Sequence, residues 1–154
     1  MRLIRKYFEH PAITTDVITG FPGETEEEFG ETREFLETVD FYEVHVFAYS
    51  RRRGTVADRL PGQLTQKIKS ERSRILIEDS AVRARMFREY YLNRKTDVLI
   101  EEKAEINGRS YWVGYNREYV RFATESDRDL RNSMISGCSC AFLSDEVMLL
   151  PDAR

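Results

Sequence analysis

The sequence predicts an α/β unit followed by a small all-β domain of the OB kind, and three observations carry that expectation. A β-branched run at about 13–19 leads through a glycine–proline turn into a helix start. A second apolar run at 42–49 follows that helix, so strand, helix and strand succeed one another. Beyond residue 93 the texture changes to short β-rich segments with a strong hairpin signal.

Taken in order, Leu3, Ile4, Tyr7 and Phe8 have the spacing of one helical face, and Pro11 stops that helix. The helix starts at Met1 with no N-cap or lead-in, so the chain is expected to be the C-terminal remainder of a longer α/β protein. Ile13, Val17 and Ile18 suit a strand buried on both faces. Gly20, Pro22 and Gly23 permit a turn in which backbone approaches a ligand. Thr25 with Glu28 three residues on fits a capping box, opening a helix over 26–38 whose apolar stripe is Phe29, Phe35, Leu36 and Val39. With the second strand this makes a βαβ unit, which predicts parallel neighbouring strands and a right-handed crossover. Two parallel strands do not stand alone. The sheet therefore needs further strands of a longer chain, or another copy paired through its open edge.

Ser50-Arg51-Arg52-Arg53-Gly54-Thr55 follows the second strand, at the end where α/β proteins bind ligands. Leu64, Ile68, Ile75, Val82, Met86 and Tyr90 then recur at helical spacing over 63–92. Asn93-Arg94-Lys95 marks the expected boundary between domains 1–92 and 93–154. Strands are expected at 97–104, 109–115, 119–123, 138–144 and 146–150, with Asn107-Gly108 as a two-residue hairpin turn. Five short strands fit a small barrel that displays aromatic and basic residues to single-stranded nucleic acid. The candidates are Tyr111, Trp112, Tyr115, Arg117, Tyr119 and Arg121, of which alternation must send some into the core.

The chain has 154 residues, 41% hydrophobic and 33% charged, with a net charge of −3. No run approaches the ~18 apolar residues of a membrane span, and the basic start lacks a signal-peptide core, which predicts a cytoplasmic protein. Charge is segregated: from Glu24 to Glu43 the only base is Arg33, whereas Arg51–Arg53 and the stretch from Lys67 to Arg88 lean basic. A basic stretch fits either a phosphate-binding face or a solvated helix surface. Cys138 and Cys140 exclude a disulfide framework, and a structural metal site needs about four ligands, whereas His10 and His45 lie far off in sequence. No metal site is expected in this chain.

The turn after the first strand is not a phosphate cradle. A P-loop needs Gly-Lys-Ser/Thr, and here Gly23 precedes Glu24-Thr25. Glu24, Glu26, Glu27 and Glu28 suit the positive helix end and would repel phosphate. They fit a neutral or cationic ligand with a flat ring, or they merely cap the helix.

The run Thr15-Asp16-Val17-Ile18-Thr19-Gly20-Phe21-Pro22-Gly23-Glu24-Thr25-Glu26-Glu27-Glu28-Phe29 resembles the second half of the radical S-adenosylmethionine domain of tRNA and ribosomal-protein methylthiotransferases. The run His45-Val46-Phe47-Ala48-Tyr49-Ser50-Arg51-Arg52-Arg53-Gly54-Thr55 is similar to the branch that modifies N6-threonylcarbamoyladenosine beside the anticodon, rather than the isopentenyladenosine branch. Val98-Leu99-Ile100-Glu101 and Gly114-Tyr115-Asn116-Arg117-Glu118-Tyr119-Val120 resemble the TRAM domain of these enzymes. The resemblance implies that the two strands are the last two of a partial TIM-like (β/α) barrel, and that the all-β domain is an RNA-binding TRAM barrel. It implies S-adenosylmethionine and [4Fe–4S] clusters in the full enzyme, with the cluster cysteines in an upstream half of the polypeptide. This chain alone is then expected to be inactive and to hold no catalytic residue. Ile18, Gly20, Phe21, Pro22 and Glu24, with Phe47, Ala48 and Tyr49, are the implied cofactor contacts. Arg51, Arg52 and Arg53, where many relatives carry Pro or Lys, and Tyr115, Arg117 and Tyr119 are the implied tRNA contacts. A binding module that holds tRNA without chemistry is the competing expectation.

Overall fold

A computed structural model describes residues 1–151; the last three residues of the expected second domain lie outside the described residues. Two compact units divide the chain, residues 1–84 and residues 85–154. Among the described residues no helix is long and apolar enough to cross a membrane.

The first unit begins with α1 (Arg2–Tyr7), shorter than its apolar spacing implies, and all of its residues are exposed. β1 (Thr14–Thr19) and β2 (Glu43–Ala48) pair in parallel over their whole length, from Thr14 opposite Glu43 to Thr19 opposite Ala48. Between them runs α2 (Glu26–Val39). Its capping box is formed: the Thr25 hydroxyl accepts from the Glu28 N–H at 3.1 Å and the Glu28 carboxylate accepts from the Thr25 N–H at 2.8 Å. Such a cap contributes about 1 kcal/mol. α2 ends at Asp40, in the left-handed region at φ 56°.

The βαβ expectation holds, but burial on both faces does not. Ile13, Phe29, Leu36, Val39, Phe41, Val44 and Leu76 form the core on one face of β1 and β2. The other face is open, with Ile18 56% and Phe47 54% exposed. The period of two explains this, since Asp16 and Ile18 alternate with the core-facing Val17, and register places His45 and Phe47 beside them.

α3 (Gln66–Glu89) also differs from expectation in the face it buries. The apolar stripe includes Val82 and Met86, both more than 60% exposed, whereas the buried face over the first unit is Lys69, Arg72, Leu76 and Ser80. Those four recur at helical spacing too, so the helix keeps its period while its polar side chains pair inward. The Ser80 hydroxyl accepts from the Val44 N–H at 3.1 Å, and the Ser73 and Thr19 hydroxyls share a 2.7 Å hydrogen bond. A solvated surface is therefore the wrong reading for Lys69, Arg72 and Arg88, each 6–7% exposed.

The second unit is a six-stranded sheet in the order β6-β3-β4-β5-β8-β7. Its strands are β3 (Lys95–Ile106), β4 (Arg109–Tyr115), β5 (Arg121–Thr124), β6 (Met134–Cys138), β7 (Ala141–Phe142) and β8 (Val147–Leu149). β5 and β8 are parallel, and the other pairs antiparallel. Asn107 and Gly108 both have positive φ, 52° and 76°, as the expected hairpin turn requires. The strand expected at 138–144 is instead the end of β6, a two-residue link and β7. That link decides the shape. Six strands laid flat would put their edges about 24 Å apart, yet Ser139 and Cys140 alone join the two edge strands, a reach of about 10 Å. The sheet therefore curls into a barrel-like form. β4 buries both of its faces, Tyr111 and Val113 on one and Trp112 and Gly114 on the other.

Candidate functional site

The C-terminal ends of β1 and β2 carry an open groove of about 510 Å³, lined by Asp16, Ile18, Phe47, Ala48, Tyr49, Ser50, Arg52, Thr55 and Ala57. Four of the expected cofactor residues, Ile18, Phe47, Ala48 and Tyr49, thus line one groove. Phe21, Pro22 and Glu24 line a different groove of about 560 Å³, shared with Glu28, Glu31, Thr32 and Phe35 of α2. The two grooves meet at an edge-on contact of the Phe21 and Tyr49 rings, whose centroids are 5.3 Å apart. Gly20 is buried between them and lines neither.

The turn itself is tightly specified. Gly20 has φ 70°, and a side chain there would collide with Lys69. The Gly20 N–H donates to Glu24 Oε2 at 2.8 Å, and the Glu24 N–H donates back to the Phe21 carbonyl at 2.9 Å. Arg72 Nη1 donates to the same carboxylate oxygen and, at 3.0 Å, to the Glu24 carbonyl, while Nη2 reaches Glu26 at 2.9 Å. The Glu24 carboxylate is thus engaged within the turn. Burial works against the charged Arg72, and the hydrogen bonds and charges of Glu24 and Glu26 together outweigh it and raise its pKa. Lys69 Nζ donates to the Tyr49 carbonyl at 3.2 Å and lies 4.9 Å from the centre of the Tyr49 ring.

The arginine loop divides its three members. Arg51 turns back onto Asp58, with Nε donating to Oδ1 at 2.6 Å and Nη2 to the carbonyl at 2.8 Å. The Gly54 N–H donates to the other carboxylate oxygen at 3.2 Å. Arg52 and Arg53 are exposed, and Arg52 borders the sheet-face groove. Arg51 first, then the Gly54 N–H, holds the Asp58 carboxyl below the usual carboxylate range. A depressed pKa contributes order above the unfolded value of about 3.9 and loses it as pH falls through the folded value. Asp58→Asn at neutral pH is therefore expected to speed amide exchange at Gly54, and the unsubstituted chain to show the same loosening only once pH falls below that unfolded value. Equal Gly54 exchange in both chains at pH 7 would contradict the clamp.

In the second unit the Tyr115 and Tyr119 rings lie 5.2 Å apart at 32°, with Tyr119 75% exposed. Asn116 builds the loop that presents them: its Oδ1 accepts from the Glu118 and Val120 N–H groups at 3.1 and 2.9 Å. This permits the positive φ of 62° at Tyr119. Arg117 is exposed on the same loop. Tyr111 and Trp112 are core residues, 5% and 4% exposed, and leave the set of aromatic candidates for nucleic acid. The Trp112 Nε1–H donates to the Ser126 carbonyl at 3.2 Å, which satisfies its one polar atom.

The sheet-face groove offers a flat ring the exposed Ile18 and Phe47 side chains, whereas the Tyr49 backbone is already engaged, its N–H on the Thr19 carbonyl and its carbonyl on Lys69 Nζ. An iron–sulfur cluster does not fit the donor set. Among the described residues no three His, Cys, Asp or Glu are grouped to hold a metal, and Cys138 and Cys140 supply only two thiols toward the roughly four such a cluster takes. Sequence reasoning missed Asp16 and Ala57 as groove residues, while Ser50 and Thr55 belong to the loop it placed at the ligand-binding end. Alternation with Ile18 could have found Asp16, whereas no local signal marks Lys69 or Arg72 as partners of the turn.

No family model matches the chain. Threonylcarbamoyladenosine tRNA methylthiotransferase MtaB of Bacillus subtilis is 37% identical over 133 residues, which are 86% of this chain and 30% of that protein. A tRNA-2-methylthio-N(6)-dimethylallyladenosine synthase of Acetivibrio thermocellus is 34% identical over 125 residues, 81% of this chain and 26% of that protein. One from Thermoanaerobacter sp. is 49% identical over a shorter 75 residues, 49% of this chain and 16% of that protein. The chain thus spans less than a third of the length of these relatives. Its similarity covers most of its own length and runs to enzymes of one kind, and by that similarity it belongs to the tRNA methylthiotransferase family.

Proposed function

We propose that the chain is the C-terminal part of a radical S-adenosylmethionine tRNA methylthiotransferase that converts N6-threonylcarbamoyladenosine beside the anticodon to its 2-methylthio derivative. Residues 1–92 would be the end of the catalytic domain, holding the last two strands of a partial TIM-like barrel, and residues 93–154 a TRAM domain. The observation that carries the reading is the open apolar sheet face at the ends of β1 and β2, beside an exposed basic loop. Ile18, Phe47, Ala48 and Tyr49 would seat the adenosine of S-adenosylmethionine, which when bound supplies the radical and the methyl group of this chemistry. Gly20, Phe21, Pro22 and Glu24 would shape the turn at its side. Arg52, Arg53, Tyr115, Arg117 and Tyr119 would contact tRNA, with Arg51 bracing the loop through Asp58. The cluster cysteines would come from an upstream half of the polypeptide, and the cytoplasm is the compartment where tRNA is met.

A second reading, the dimethylallyladenosine branch, is favoured by the higher local identity to the Thermoanaerobacter enzyme. Anticodon stem-loops bearing either modified adenosine separate the two. Tighter binding of the threonylcarbamoyl form supports the first branch, and tighter binding of the isopentenyl form the second. Arg52→Ala with Arg53→Ala is expected to weaken tRNA binding and to lower the slope of log affinity against log salt by about one for each phosphate that the loop no longer neutralises. An unchanged affinity and slope would remove the loop from the RNA interface. A stoichiometric [4Fe–4S] chromophore on this chain after anaerobic reconstitution would refute the assignment of the cluster to an upstream segment.

A further inference from the structure

We propose that Arg72 is a positioning residue: reaching from α3, it sets the β1–α2 turn in the shape that a nucleoside at the sheet-face groove requires. The proposal rests on the function given above and names how that site is held. Arg72 is 6% exposed and its guanidinium carbon sits 5.1 Å from the centre of the Phe29 ring, an environment in which an unpaired cation is costly. Its two terminal nitrogens go to one short segment, Nη1 to the Glu24 carboxylate and carbonyl and Nη2 to Glu26, while the buried Nε has no hydrogen-bond partner among the described residues. The same Glu24 oxygen accepts the Gly20 N–H at 2.8 Å. A line therefore runs from Arg72 through Glu24 to the first residue after β1, and the Glu24 N–H closes it on the Phe21 carbonyl at 2.9 Å.

Phe21 is the residue this locks, and its ring meets Tyr49 edge-on at 5.3 Å, at the groove wall. The other strand end is held from the same helix, by Lys69 on the Tyr49 carbonyl at 3.2 Å. α3 thus braces both strand ends from below the sheet, on the side opposite the groove. Stability alone does not call for this arrangement, because a buried ion pair is generally no more stabilising than well-packed apolar residues of similar volume. What an arginine fork adds is direction, fixing carboxylate and carbonyl at once in a geometry that a lysine point charge does not reproduce. Another tie between α2 and α3, the Arg33–Asp79 pair at 2.9 Å, touches no residue of the turn and makes an internal control.

The test uses the 15N-labelled chain with S-adenosylhomocysteine as the probe, read by amide chemical shifts for binding and by amide exchange for the turn. Arg72→Met and Arg72→Lys are each expected to lower nucleoside affinity at least about tenfold, and to speed exchange at Gly20 and Glu24 by a similar factor. Arg33→Met is expected to leave both within about twofold. Should Arg72→Met fail to fold, Glu24→Ala removes the acceptor that Gly20 and Arg72 share and is expected to act in the same direction. Wild-type exchange at Gly20 in the Arg72 and Glu24 variants overturns the positioning role, as does wild-type affinity. If the unsubstituted chain binds no nucleoside, the proposed cofactor site falls, and the exchange comparison by itself still decides whether Arg72 sets the turn.

Discussion

Gly114→Ala is expected to unfold the second unit. A Cβ at this position would stand 1.9 Å from the Leu99 carbonyl oxygen and 2.7 Å from Ile100 Cα. Both belong to the paired strand β3, and both are backbone. No rotamer change relieves such a clash, so β3 and β4 would have to separate by more than about an ångström at the centre of the sheet. The pairing is already irregular there, shifting register between Ile100 and Glu102. Val98, Ile100 and Val113 around the site are fully or almost fully buried, which leaves no room for the strands to move apart. Overpacking of this kind costs about 3 kcal/mol or more, a large share of the stability of a small domain. The measurement is the amide spectrum of residues 95–150, which should lose its dispersion in the variant. A melting temperature within about 3 °C of the unsubstituted chain would contradict the prediction.

Gly20→Ala is the second large effect, and its cost has two separable parts. The residue sits at φ 70°, where a Cβ costs about 1–2 kcal/mol. The added Cβ would also lie 2.5 Å from Lys69 Cγ, 3.2 Å from its Cβ and 3.4 Å from its Cα. The first of these clashes must be relieved, and Lys69 is not free to move because its Nζ holds the Tyr49 carbonyl. A total loss of about 2–4 kcal/mol is expected, with nucleoside binding weakened in parallel. Combining the change with Lys69→Ala removes the Cγ clash and leaves the backbone strain. The double variant should therefore lose less than the two single losses added together. Strict additivity in denaturant melts would mean that the two residues do not meet as described.

Much of the first unit is legible in the sequence because its signals are local. Thr25 and Glu28 satisfy each other within one helical turn, and the β-branched run before Gly20 needs only the backbone to become a strand. Asn107-Gly108 likewise dictates its hairpin through the φ values both residues adopt. The cofactor-site residues are legible by family resemblance, but not their partition: Ile18 and Phe47 face one groove while Phe21 and Glu24 face another. Strand alternation separates neighbouring positions onto opposite faces, yet it does not reveal which face a helix covers.

Two features resist reading for a definite physical cause. β6 runs through Ser136, Gly137 and Cys138, residues with little β preference, and it is a strand because β3 offers it a ladder from Lys95 to Leu99. α3 presents an apolar stripe in sequence, yet turns Lys69, Arg72, Ser73 and Ser80 toward the sheet, because strand ends and a tight turn expose carbonyls and N–H groups that apolar side chains cannot satisfy. By itself, then, the sequence determined the βαβ unit, the capped turn, the β-rich second domain and the family, since these depend on neighbours within a few residues or on motif identity. Only the tertiary structure decided which sheet face stays open, how Ser139 and Cys140 curl the second sheet, and that Arg72 belongs to the turn 48 residues earlier in the chain. Those outcomes depend on pairing between distant segments, where the requirement to satisfy buried polar groups outweighs local preference.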